Sequence, residues 1–231
     1  MHARNIRKWL LRACFFSPEI NGGFLMGSSS HPAHGESANN SAPPKEWANP
    51  TPAGLVALAV ACVCFFAFLT NRVSPAAMPL IGCWLLGGFV IQLVVALLDL
   101  KGGNLAGGNT FLFFCAFFMM VSGLEMLFKY NAIMAGAPLD GRIDGWVWGA
   151  LTIVVYLWTP AFWAKFSLLS VIVVLLDIAL PFIALMDLGV LPHSFAHIPA
   201  WSLLAAGAVA VYLSSAIVVN GTFKKTIYPL P

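Results

Sequence analysis

Asp177 sits in the stretch LLDIA, with Leu175 and Leu176 before it and Ile178 and Ala179 after it. A carboxylate among such neighbours costs about 3 kcal/mol in hydrocarbon on insertion scales, so it must face a cavity or a partner. It reads either as a titrating, pore-lining proton site or as a group hydrogen-bonded to a neighbouring helix. Glu125 has Lys129 four residues on, a spacing that pairs them on one helix face, and the pair reads as structural. Gln92 follows Gly87 and Gly88 in an apolar run, where its amide needs a partner or water. Asn49-Pro50-Thr51-Pro52-Ala53-Gly54-Leu55 reads as a helix start, where proline is tolerated because the first amides have no intrahelical acceptor. Those free donors and the helix dipole favour an anion by roughly 0.3–1 kcal/mol, and the same residues also make an ordinary cap.

Other reactive residue types carry less. His193 and His197 are four apart, but no HExxH pattern surrounds them and they fall in an expected outer loop, so no metal site is read there. Cys14, Cys62, Cys64, Cys83 and Cys115 lack disulfide or zinc spacing and read mostly as buried small hydrophobes. No Ser/His/Asp set, phosphate-binding glycine loop or cofactor fingerprint stands out. The expectation is a protein that is not an enzyme and needs no cofactor.

The elements that must position these residues follow from composition. The 231 residues are 60% hydrophobic and only 9% charged, with a mean hydropathy of +0.85. A soluble protein carries about 25% charged residues, so a water-soluble enzyme, a nucleic-acid binder and a disordered chain are all excluded. Residues 1–48 form a region apart, expected to be a largely disordered cytoplasmic tail. Arg12 interrupts its short apolar run, so residues 1–16 read as a membrane-surface start rather than a signal peptide. Met26 is a second candidate start.

From residue 49 onward the chain reads as an all-α integral membrane domain with six transmembrane helices, at roughly 52–70, 78–98, 109–130, 145–163, 165–187 and 199–219. Each run is about 20 residues, the length a helix needs to cross the hydrocarbon, and none alternates as barrel strands do. The short connection at Ala164 and Lys165 makes the fourth and fifth helices antiparallel neighbours. Ala206, Ala210 and Ser214 recur every fourth residue, a stripe suited to tight packing. With both termini cytoplasmic, nine basic residues lie inside, including Lys101, Lys165, Lys224 and Lys225, against Arg72, Lys129 and Arg142 outside. That bias fits a multi-pass protein of the inner or plasma membrane.

Three blocks together resemble the acetate uptake transporter family. NPTPAGL at 49–55 is similar to its NPAPLGL opening, departing at Thr51 and Ala53. GGFVIQLVVALLDLKGGN at 87–104 resembles its second block, with Gln92, Asp99, Lys101, Gly103 and Asn104 in place. The stretch 207–229 keeps Gly207, Ala210, Tyr212, Asn220, Thr226 and Pro229 in register. The resemblance implies a six-helix protomer, a hexamer in the lipid bilayer, and conduction of small carboxylates such as acetate, with succinate a further cargo and protons coupled. It also implies an apolar constriction from the first, third and fifth helices, at Leu58, Phe114 and Val173. Phe114 stands where the family has a tyrosine, Ile217 where it has an acid, and Asp177 where it is apolar.

The resulting expectation is a carboxylate path. Asn49, Pro50, Pro52 and Gly54 form the mouth, Gln92 and Asn104 offer polar contacts, Leu58, Phe114 and Val173 narrow the pore, and Asp177 is the proton-coupling candidate. Two alternatives stay open: a channel for a small neutral solute such as ammonia or urea, and a non-transporting scaffold or sensor using the tail.

Overall fold

The computed structural model describes residues 47–164 and 167–231. Most of the expected tail, Cys14 and Lys165 lie outside the described residues. The described chain is all helical: α1 Thr51–Leu69, α2 Met78–Lys101, α3 Leu105–Ala135, α4 Arg142–Trp163, α5 Leu168–Asp187 and α6 His197–Phe223. All six are long and apolar enough to cross a membrane. Helix is the form that apolar runs of this length must take in lipid, because it satisfies each backbone N–H and C=O within the segment.

The observed ends differ modestly from expectation. α3 begins at Leu105 and α6 runs to Phe223, because polar residues such as Asn104 and Asn220 still serve helix ends outside the apolar core. α5 starts at Leu168, later than expected. There the Ser170 hydroxyl accepts from the Ser167 N–H (3.3 Å) and donates to the Phe162 carbonyl (2.6 Å), tying the end of α4 to the start of α5. His193 and His197 are not in an open loop. A 3-10 turn, His193–Ala196, leads directly into α6, and His197 Nδ1 lies 2.7 Å from the Ser194 carbonyl oxygen.

Within α3 the stretch Phe114–Val121 is π-helical. It carries an aromatic run in which the rings of Phe113 and Phe114, and of Phe114 and Phe118, meet edge to face at 5.0 and 5.6 Å between centroids. α1 lies against α2 and α6, α5 against α4 and α6, and α2 against α3. The alanine and serine stripe of α6 is buried, with Ala206 and Ala210 at 0% exposure and Ser214 at 3%. Beyond α6 the chain folds back: Asn220 Oδ1 accepts from the Ile227 and Tyr228 N–H groups (2.7 and 2.9 Å) while its Nδ2 donates to the Tyr228 carbonyl (2.7 Å).

α2 and α3 cross tightly at Gly82 and Gly123. A Cβ on Gly82 would sit 2.7 Å from the Gly123 carbonyl oxygen, which is backbone and cannot swing aside. Gly87 differs, with nothing within 4 Å of a Cβ placed there. Gly82→Ala should therefore lower stability by about 1–3 kcal/mol, the usual range for overpacking. Thermal unfolding in detergent would register the loss, with Gly87→Ala unchanged or slightly raised.

Candidate functional site

Four of the expected residues converge. Leu58 from α1, Gln92 from α2, Phe114 from α3 and Val173 from α5 line one enclosed cavity of about 30 Å³, closed further by Phe162 of α4. That is room for one or two water-sized molecules. Among the described residues no charged one lines it. Two wider cavities lie on either side. One of about 380 Å³ between α3 and α4 shares Thr110 and Phe162 with the small cavity. The other, about 410 Å³, reaches the opposite ends of the helices and is bounded by Phe118, whose ring packs against Phe114. The small cavity forms an apolar waist that adjoins the first of these and is walled from the second by the Phe114 and Phe118 rings.

Gly54 sets the waist from one side. A Cβ there would meet the Phe111 ring at 2.6 Å, so glycine lets α1 press against α3. Its carbonyl accepts a hydrogen bond from Gln92 Nε2 at 3.3 Å. Gln92 is wholly buried, and its Oε1 has no hydrogen-bond partner among the described residues. The Thr110 hydroxyl, on another lining residue, is likewise buried and unpartnered. Sequence reasoning missed Thr110. The available signal was a hydroxyl inside an apolar span, but uncharged polar residues draw less notice than a carboxylate.

The remaining expected residues stand outside the waist. Asn49, Pro50 and Pro52 line a separate groove between α1 and α6, and Asn49 Oδ1 accepts from the Thr51 N–H at 3.0 Å, acting as a cap. Asn104 caps α3: its Oδ1 takes the Gly107 N–H (3.0 Å), and its Nδ2 donates to Asp99 Oδ2 (3.3 Å). Thr51 donates to the other Asp99 oxygen at 3.4 Å, so one carboxylate at the end of α2 ties the starts of α1 and α3.

Asp177 faces α4 and is not among the waist's lining residues. Pro181 lacks the N–H that would bond the Asp177 carbonyl, and the Tyr156 hydroxyl supplies that donor at 2.8 Å. The Thr159 hydroxyl lies 2.7 Å from Asp177 Oδ2 and 2.9 Å from the Val155 carbonyl oxygen, and its one proton can serve only one of them. Asp177 Oδ1 is buried with no hydrogen-bond partner.

At the wide cavity's rim, Lys129 bonds more than its expected partner. Its Nζ is 3.4 Å from Glu125 and 2.6 Å from Asp144, with Asp187 lining the same cavity. In the loop just beyond, Arg142 donates twice to Asp140, whose carboxyl is pushed down to about 2 by those bonds.

Six apolar helices around an uncharged waist make this a multi-pass membrane protein. Comparison with protein-family profiles and with curated sequences returns no match. Among solved structures, that of the bacterial acetate channel SatP is similar, with a TM-score of 0.65 at 20% identity, over 80% of this chain and 100% of that one. At that identity the likeness is one of fold.

Lys129→Met would leave Glu125 and Asp144 facing each other without a cation. The expected loss is about 1–3 kcal/mol, below that of a fully buried pair because the lysine is one-third exposed. Adding Asp144→Asn should recover part of it, a coupling that a double-mutant cycle in detergent unfolding would measure.

Proposed function

We propose that this chain is a channel or transporter, not an enzyme, that passes acetate or a similar small carboxylate through each protomer, with protons coupled to the movement. The observation that carries this reading is the waist: Leu58, Phe114 and Val173, on three different helices, meet Gln92 in one 30 Å³ cavity between two much larger ones. A constriction of that kind passes a short methyl tail and gates by excluding water. The shared fold with an acetate channel supports the same reading.

The waist also ranks cargo. Succinate would bring a second carboxylate past a wall whose described residues carry no countercharge, so acetate should pass more readily. Phe114 offers no hydroxyl, leaving the polar contacts at the waist to Gln92 and Thr110, with Gly54 holding Gln92 in place and Asn49, Pro50, Pro52 and Asn104 at helix starts outside it as the mouth. An even number of crossings puts both chain ends on one side, and the basic residues favour the cytoplasmic face of an inner or plasma membrane. Assembly of six copies completes the reading. Light scattering of the detergent-extracted protein would give the copy number.

Labelled acetate uptake into proteoliposomes tests the function, with flux above that of empty vesicles expected. A panel of acetate, succinate, lactate, urea and ammonia distinguishes carboxylates from neutral solutes; flux of urea or ammonia without acetate would favour the latter. Leu58→Ala should raise lactate and succinate flux several-fold relative to acetate by widening the waist. Asp177 is the mid-span carboxylate proposed for proton coupling, yet it is turned toward α4. Asp177→Asn should then leave the pH profile of flux in place, and a flattened profile would return the proton to this residue.

A further inference from the structure

Two residues that line the waist have a buried hydrogen-bonding atom with no partner among the described residues, Gln92 Oε1 and the Thr110 hydroxyl, and the first is an acceptor that an anion cannot satisfy. Gln92 must point Nε2 at the Gly54 carbonyl, because a carbonyl accepts only from a donor. That leaves Oε1 as an acceptor without a partner and the second Nε2 hydrogen as a further donor. Thr110 adds a hydroxyl with a proton to give. A carboxylate has acceptors only, so it could take the Thr110 and Nε2 protons but would leave Gln92 Oε1 unsatisfied beside its charge, with no lysine, arginine or histidine among the described lining residues to offset it. Helix-start amides do not help either. The Gly107 and Gly108 N–H groups, at the α3 start beside the waist, are already bonded to the side-chain and backbone oxygens of Asn104.

We propose that the waist takes its substrate as the undissociated carboxylic acid, the acid O–H donating to Gln92 Oε1 and the Thr110 hydroxyl donating to the acid C=O. This rests on the carboxylate reading above and adds the protonation state and the two contacts. The guest's one donor meets the wall's unpaired acceptor, and its carbonyl meets the Thr110 hydroxyl. The guest is neutral, so an uncharged lining costs it little. The coupled proton travels on the substrate, and no protein carboxylate needs to lie on the path. An uncharged amide of the same shape, acetamide, carries the same donor and acceptor at every pH.

The full chain in liposomes provides the test, with protein-free vesicles subtracted because undissociated acetic acid also crosses lipid. At fixed total acetate, the protein-dependent flux should fall about tenfold for each pH unit above the acid's own pKa. A potassium diffusion potential should leave it unchanged. Acetamide should compete equally at acidic and neutral pH. Thr110→Val should lower both acetate flux and acetamide competition at least tenfold, and Thr110→Ser should restore them, with a native gel-filtration profile showing that each variant folds. Flux that follows the anion concentration, responds to the potential and ignores acetamide would overturn the assignment while leaving carboxylate transport standing. Unchanged flux in Thr110→Val would overturn it too. Absence of protein-dependent acetate flux at every pH would overturn both readings together.

Discussion

The hydrogen bond from Gln92 to the Gly54 carbonyl joins helices at the point where the protein is narrowest. It forms because Gly54 has no side chain, which lets α1 lie against the Phe111 ring and exposes its carbonyl to α2. Once made, it orients the Gln92 amide and leaves its Oε1 buried without a partner beside the waist. Leu58 lies one helical turn beyond Gly54 and inherits its placement from the same contact. The polar side of the waist and its apolar side thus depend on one glycine.

Around that point several polar groups are tied to an opposing helix, while Gln92 Oε1, the Thr110 hydroxyl and Asp177 Oδ1 have no partner among the described residues. Asp99 holds the starts of α1 and α3 through Thr51 and Asn104. Ser170 joins α4 to α5, and Tyr156 covers the carbonyl that Pro181 leaves without a donor. In hydrocarbon an unpaired polar group costs far more than in water, so these few bonds specify which helices meet. The charged groups gather at the rim instead, where Lys129 is shared among acids from α3 and α4.

Much of the architecture was legible in the sequence. The number of helices and their approximate limits follow from run length and punctuation at residues such as Pro75, Gly103 and Gly136. Which helix face looks inward was not legible, because runs such as those of α1 and α2 are apolar all round and carry no phase. Leu58, Phe114 and Val173 could be singled out only through the resemblance of the three blocks, and the structure brings them together. Thr110 was missed because its lack of a partner is a property of the packed state. Asp144 was missed as a partner of Lys129 because their meeting joins two helices across a turn-rich loop. Asn49, by contrast, acts as the cap that its position beside two prolines already allowed.

The π-helical stretch of α3 is a place where the chain can change length without changing faces. Each hydrogen-bonded turn from Phe114 to Val121 closes over one residue more than an α-helical turn, so the stretch takes in an extra residue while Phe111 before it and Ser122 after it hold their directions. Removing a single residue there would let the segment relax to α-helix with both halves of α3 still in register. The same deletion in the α-helical turns on either side would rotate one half by about 100° against the other and carry Thr110 away from the waist. Homologous sequences sharing the pore should therefore gain or lose a residue here more readily than anywhere else in α3.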